Sequence, residues 1–190
     1  MIDNIRRKTI PSKWYMDEQI LKIEKRNIFS KSWHLFCSTD QISNPGDYKT
    51  MMINDQPIII IKDENNSINA FYNVCQHRGC VLLDNDGNAK SLKCGYHGWV
   101  YDLNGNLKTA RGFDKQKFKI EDFSLKPVEH HVWMNLIFVK LQNECYDIKK
   151  TLTKIEKIIS PIRFDQYSYH SRVSYKINCN WKIYMDNYLE

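Results

Sequence analysis

Apolar residues recur at helical spacing between Asp17 and Ser32, where Ile20, Leu21, Ile23, Ile28 and Phe29 mark one face, so the chain is expected to open on a helix. From Trp33 the rhythm changes. Short apolar runs alternate with turn signals at Asn44-Pro45-Gly46-Asp47, Asp63-Glu64-Asn65-Asn66, Asp84-Asn85-Asp86-Gly87-Asn88 and Asn104-Gly105-Asn106, which predicts antiparallel strands. Asn104-Gly105, between Trp99-Val100-Tyr101 and Leu107, is a hairpin signal. Val132 to Leu141 is expected to return as one strand. Asp147 to Ile162 then predicts a second helix, with Ile148, Leu152, Ile155 and Ile159 on one side and lysines on the other. Tyr167, Tyr169, Ser171, Val173, Tyr175 and Ile177 occupy alternate places, the mark of a half-buried strand. Asn180 can cap a last helix whose apolar side would be Trp181, Tyr184, Met185, Tyr188 and Leu189.

Composition adds that a core can be built. The chain has 190 residues, 42% of them hydrophobic and 13% aromatic, enough for one domain and part of a second. Its longest apolar run, Pro57-Ile58-Ile59-Ile60-Ile61, has the length of a strand rather than a membrane span, and Met1 to Lys8 lacks the apolar centre of a signal peptide. The net charge of +6 suits an acidic electron donor, but the lysines are scattered among Asn and Ile. They form no basic stripe with interleaved aromatics, so nucleic acid is not an expected partner.

Chemistry concentrates in two clusters, Cys75-Gln76-His77-Arg78-Gly79 and Cys94-Gly95-Tyr96-His97-Gly98-Trp99. Each puts one thiol and one imidazole on a single tight loop, and two such loops face to face can enclose a diamond of iron and sulfide. That is the donor set of a Rieske [2Fe-2S] centre, with Cys75 and Cys94 on one iron and His77 and His97 on the other. Gly79 and Gly98 admit positive φ and close backbone approach. Tyr96 is a candidate hydroxyl donor to a cluster sulfur, or else a packing residue. A structural zinc site is the alternative for the same four side chains. Trp99 is expected as a packing wall, Arg78 as an ion-pair or loop anchor, and His34, His130, His131 and His170 as ordinary structural histidines. Free thiols beside such a cluster suit a reducing compartment, which points to the cytoplasm.

At these residues the chain resembles the α subunit of Rieske non-haem iron oxygenases. Asn180-Trp181-Lys182 followed by Asp186-Asn187-Tyr188-Leu189-Glu190 is similar to the stretch that opens the family's catalytic domain. The resemblance implies a mostly β fold with flanking helices (α+β): a helical segment over 1–38, an antiparallel β-sandwich Rieske domain over 39–145, and the start of an α+β catalytic domain over 146–190. It places Glu190 as the carboxylate joining a cluster histidine of one subunit to an iron ligand of its neighbour, in a ring that is commonly a trimer, with or without a β subunit. It implies a reductase or ferredoxin as donor, a small-molecule substrate, and a mononuclear Fe(II) whose two-His, one-carboxylate ligands would lie beyond position 190, so that the chain reads as a fragment or truncated product. Cys80 occupies the place of a cysteine that respiratory Rieske proteins cross-link, but the partner position here is Tyr96, which leaves Cys80 as a small apolar filler. The stretch through Glu190 is closer to the branch acting on quaternary ammonium compounds than to the naphthalene-type branch. A stand-alone Rieske ferredoxin remains the alternative function.

Overall fold

The computed structural model describes residues 10–113 and 119–189. In chain order the elements are α1 (Lys13–Met16), α2 (Glu18–Asn27), β1 (Trp33–Ser38), β2 (Asp47–Ile53), β3 (Gln56–Lys62), β4 (Ile68–Tyr72), β5 (Gly87–Asn88), β6 (Leu92–Lys93), β7 (Val100–Tyr101), β8 (Leu107–Thr109), β9 (Glu129–Trp133), β10 (Leu136–Lys140), α3 (Ile148–Ile159) and α4 (Trp181–Leu189). They fall into two units: Ser30–His170, and the segment up to Phe29 together with the segment from Ser171 onward.

Three antiparallel sheets build the larger unit, in the orders β1-β10-β9, β4-β3-β2-β5 and β6-β7-β8. The isoleucine run explains its layering. Ile58 to Ile61 are all fully buried, and strand alternation sends Ile59 and Ile61 into one core with Trp99, Tyr101 and Leu92, and Ile58 and Ile60 into another with Phe36, Ile137 and Val139. A strand covered on both faces needs no polar positions, which is why this run is continuous rather than alternating. Its hairpin with β2 turns on Asn54 and Asp55, both at positive φ, a conformation these short polar side chains tolerate.

Two strand expectations need correction. Val132 to Leu141 is not one strand, because β9 and β10 fold back as a hairpin over Met134 at φ +54° and Asn135. Tyr167 to Ile177 has no regular secondary structure and joins no sheet among the described residues, and Tyr167, Val173, Tyr175 and Ile177 stand more than half exposed. An alternating pattern marks a strand that could pair; here the ladder partner is lacking. The helix expected from Asp147 is present, with Asp147 accepting the Lys149 N–H at 3.0 Å and only Ile148 and Leu152 buried.

In the smaller unit, the helix expected over Asp17 to Ser32 ends at Asn27 and is followed by a 3-10 turn at Phe29–Lys31. Asp17 caps it by accepting the Gln19 N–H at 2.8 Å. Its buried residue is Glu24 rather than Ile23, which is 58% exposed. Glu24 accepts from Trp181 Nε1 at 2.9 Å and is ion-paired to Lys182 Nζ at 2.7 Å, and both charged side chains are buried. Asn180 does cap α4, accepting the Lys182 N–H at 3.1 Å. Only part of the apolar side expected there is covered: Trp181 packs edge-on against Phe29, Tyr184, Tyr188 and Leu189 are exposed, and α4 is held through Trp181 and Lys182. No described helix is long and apolar enough to cross a membrane.

Candidate metal centre

Two loops carry the predicted donors, and they are folded alike. The Cys75 N–H donates to the Cys80 carbonyl at 2.8 Å, and the Cys94 N–H to the Trp99 carbonyl at 2.8 Å. Inside each loop the glycine N–H returns to the cysteine carbonyl, Gly79 to Cys75 and Gly98 to Cys94, both at 3.0 Å. The repeat follows from spacing, since each glycine is four residues after its cysteine. Gly79 and Gly98 adopt φ of +71° and +72°, and a Cβ at Gly79 would meet nothing within 4 Å. The glycines are thus required by backbone conformation rather than by crowding.

Different supports hold the two loops. The first is closed by the bridge between Val74 and Val81 and by fully buried Asn73, whose side chain donates to the Leu83 carbonyl at 2.6 Å and accepts the Leu83 N–H at 3.2 Å. The second is the connection of the hairpin β6-β7.

Side chains emerge from these loops in pairs. Cys75 and Cys94 are buried in the same core group. The rings of His77 and His97 lie 4.7 Å apart at 66°, with His97 exposed and His77 half-buried. Trp99, 1% exposed, stacks on His77 at 4.7 Å and 10°, while Phe113 meets both rings edge-on. The packing-wall role expected of Trp99 therefore has a definite geometry. Burial pushes the Cys75 thiol up, against hydrogen bonds that include the Tyr101 hydroxyl. Burial acts on Cys94 in the same sense, but the N–H groups of Tyr96 and His97 and the adjoining thiols outweigh it and bring that thiol down. Burial, then the charges of His97 and Arg78, lower His77 and favour the neutral imidazole, the form that binds metal.

This donor set fits a two-iron cluster. A tetrahedral zinc site gathers its four ligands around one ion, whereas here Cys75 and Cys94 are buried and the His77 and His97 rings pair at the more exposed side. A thiol pair and a separate imidazole pair are what a [2Fe-2S] diamond requires.

One functional candidate was missed and one misplaced. The Tyr96 ring lies against His97 at 3.8 Å and is 62% exposed, whereas the hydroxyl at the sulfurs belongs to Tyr101, 3.4 Å from Cys75 Sγ and fully buried. Tyr101 accepts the Gln76 N–H at 3.0 Å, which leaves its own O–H free to donate to the Cys75 sulfur. Desolvation first, and then Cys75, push its phenol far above the ordinary value. The available signal was alternation on β7, which puts residue 101 on the same face as Trp99. Arg78 is exposed. Asp186 accepts the Tyr15 hydroxyl, Asn187 is exposed, and Glu190 lies outside the described residues. His34, His130 and His131 are half-buried on β1 and β9, and His170 is exposed.

Residues 32–124 match the model of the Rieske [2Fe-2S] domain. The chain is 32% identical to chloroplastic choline monooxygenase of Arabidopsis thaliana, covering 97% of this chain and 47% of that protein. It is 31% identical to the carnitine monooxygenase oxygenase subunit of Escherichia coli K12, covering 96% and 50%. Among solved structures, the quaternary ammonium Rieske monooxygenase CntA in complex with L-carnitine superposes with a TM-score of 0.86 at 30% identity, over 95% of this chain and 52% of that one. Naphthalene 1,2-dioxygenase from Rhodococcus sp. does so with a TM-score of 0.80 at 27%, over 90% and 41%. The chain spans about half the length of the curated relatives it matches.

Proposed function

We propose that the chain belongs to the α subunits of Rieske non-haem iron oxygenases, in the quaternary ammonium branch, and is the electron-receiving part of a monooxygenase acting on a small quaternary ammonium compound. Cys75 and Cys94 hold one iron of the [2Fe-2S] cluster, and His77 and His97 hold the other. When bound, the cluster supplies one-electron storage at a potential raised by its two histidines. The protein's own contribution is positional. The two like-folded loops fix the donor pairs, Trp99 and Phe113 shield His77 from water, and exposed His97 gives the centre an edge open to exchange.

A reductase or ferredoxin would supply the electrons, and a mononuclear iron would supply the dioxygen chemistry that hydroxylates the substrate. Glu190 is proposed as the carboxylate that joins subunits in a homotrimer, residues 39–145 as the Rieske domain and 146–190 as the opening of the catalytic domain, in a cytoplasmic enzyme. A stand-alone ferredoxin is not favoured, since similarity to the oxygenase subunits extends over 96% of the chain.

The observation that carries this reading is the repeated loop with its thiol pair and imidazole pair. Low-temperature EPR of the dithionite-reduced chain tests it, with iron, sulfide and zinc assayed on the same sample. A rhombic signal at the low average g of histidine-ligated clusters is expected, and Cys94→Ser should abolish both the signal and the bound sulfide. Zinc without sulfide would overturn the assignment.

A further inference from the structure

Asn104-Gly105, the one Asn-Gly pair of the chain, sits in the turn between β7 and β8, the hairpin that follows the second ligand loop. The turn is tied at each of its residues. The Gly105 N–H donates to the Asp102 carbonyl at 3.1 Å, with Gly105 buried at φ +80°, and the Gly105 carbonyl accepts the Leu125 N–H at 2.8 Å. Asp102 Oδ1 accepts the N–H groups of Asn104 at 3.0 Å and Asn106 at 2.8 Å. From β4, Asn69 Nδ2 donates to the Leu103 carbonyl and to Asn104 Oδ1, both at 3.2 Å. Asn104 itself is exposed to water. An asparagine followed by glycine is open to ring closure because no Cβ shields the attacking nitrogen. Closure needs that nitrogen free and the side-chain amide turned onto it. Here the nitrogen's hydrogen is bound to Asp102 and the amide oxygen to Asn69.

We propose that Asn104 is a spontaneous deamidation site that the folded turn keeps closed, and that its isoaspartyl product cannot re-form the turn, so that a chain left open here is lost to the native fold. In the first step the Gly105 nitrogen attacks Asn104 Cγ, the Cγ–Nδ2 bond breaks, and ammonia leaves with the hydrogen of that nitrogen, giving a succinimide. In the second, water adds to one ring carbonyl. Breaking the new Cγ–N bond returns an aspartate, and breaking the original peptide bond gives an isoaspartate; no oxidant or reductant takes part. The isoaspartyl route puts one extra methylene into the main chain beside Gly105, where even a Cβ would come 2.6 Å from the Phe71 ring. The damage would reach the ligand loops, since β7 carries the Tyr101 hydroxyl to within 3.4 Å of Cys75 Sγ. The inference does not rest on which metal those loops bind.

The test follows Asn104 in the full chain, held folded or in urea in mildly alkaline buffer, by peptide mass spectrometry with aspartyl and isoaspartyl peptides separated by chromatography. Conversion is expected to be many-fold slower in the folded chain, and Asn69→Ala, shown to be folded by circular dichroism, should convert at an intermediate rate. After the urea is diluted out, isoaspartyl chains should be several-fold depleted from the native fraction. Asn104→Asp, which carries the new charge without the extra methylene, should refold as the wild type does, and its failure to refold would overturn the argument from the longer main chain. Equal conversion in folded and unfolded chains, or isoaspartyl chains shared evenly between native and non-native fractions, would overturn the proposal, and both comparisons need only the wild-type sequence.

Discussion

Trp99 and Tyr101, on the second ligand loop and the strand that leaves it, are 1% and 0% exposed, whereas Tyr175 and Tyr188, in the carboxyl-terminal segment, are 83% and 75% exposed. All four are large aromatics placed by a regular pattern, so residue type does not set the difference. The first two sit where sheets close on one another around β3. The second two sit on a segment with no strand pairing among the described residues, and on a helix held at its start by Trp181 and Lys182. Burial is thus a property of what a segment can pack against.

Breaking the Glu24–Lys182 pair tests that contrast most severely. Glu24→Ala leaves a buried ammonium without its carboxylate and should cost about 3 kcal/mol or more locally. Amide hydrogen exchange should accelerate across α4 while the amides of the two ligand loops keep their protection. Acid should mimic the substitution. Burial raises the Glu24 carboxyl, but its bonds to Lys182 and Trp181 outweigh this and hold it below the ordinary value of 4.5. The stabilisation is therefore complete above pH 4.5 and lost as pH falls through the lowered value. Equal loss of protection in the ligand loops would show that the pair supports the whole chain rather than α4 alone.

On the closed side of the comparison the sensitive position is Gly105. It sits at φ +80°, and a Cβ there would lie 2.6 Å from the Phe71 ring. Gly105→Ala should cost about 2 kcal/mol, from left-handed backbone strain and overpacking together, and lower Tm by about 5 °C. Gly79→Ala meets no atom within 4 Å and should cost about 1 kcal/mol, the backbone strain alone. Thermal melts of the two variants read the difference.

The same contrast explains what the sequence disclosed. The four donors were legible because ligand spacing is local: a cysteine, a histidine two or three residues on, and a glycine four residues after the cysteine define each loop without help from the rest of the fold. The α2 and α3 helices and the turns around β2 to β4 were legible for the same reason. Tyr101 was not, because its hydroxyl reaches Cys75 across two loops. Glu24 was not, since a carboxylate on a helix ordinarily faces water, and only Lys182, far along the chain, accounts for its burial. The alternation from Tyr167 to Ile177 was real, but alternation reports the capacity to pair and cannot supply the partner strand.

A smaller effect is expected from Tyr101→Phe, which keeps the ring and removes the hydroxyl from Cys75. Hydrogen bonds to a thiolate ligand favour the more negative, reduced state, so the midpoint potential should fall. A bond worth about 1 kcal/mol corresponds to roughly 40 mV for one electron. Redox titration followed by EPR measures the shift, and Tyr96→Phe, altering an exposed side chain, should leave the potential in place.

The least expected effect belongs to the open region and sharpens the comparison furthest. Tyr175 is 83% exposed, so Tyr175→Ser removes almost no buried area and should change the stability of this chain by less than about 0.5 kcal/mol in urea unfolding. The prediction depends on the tyrosine having nothing to lean on. A loss of about 2 kcal/mol would mean that the ring is covered in solution, and its dependence on protein concentration would then tell whether a second copy does the covering. With no such loss, the Tyr175 ring lends the chain no stability, as its 83% exposure implies.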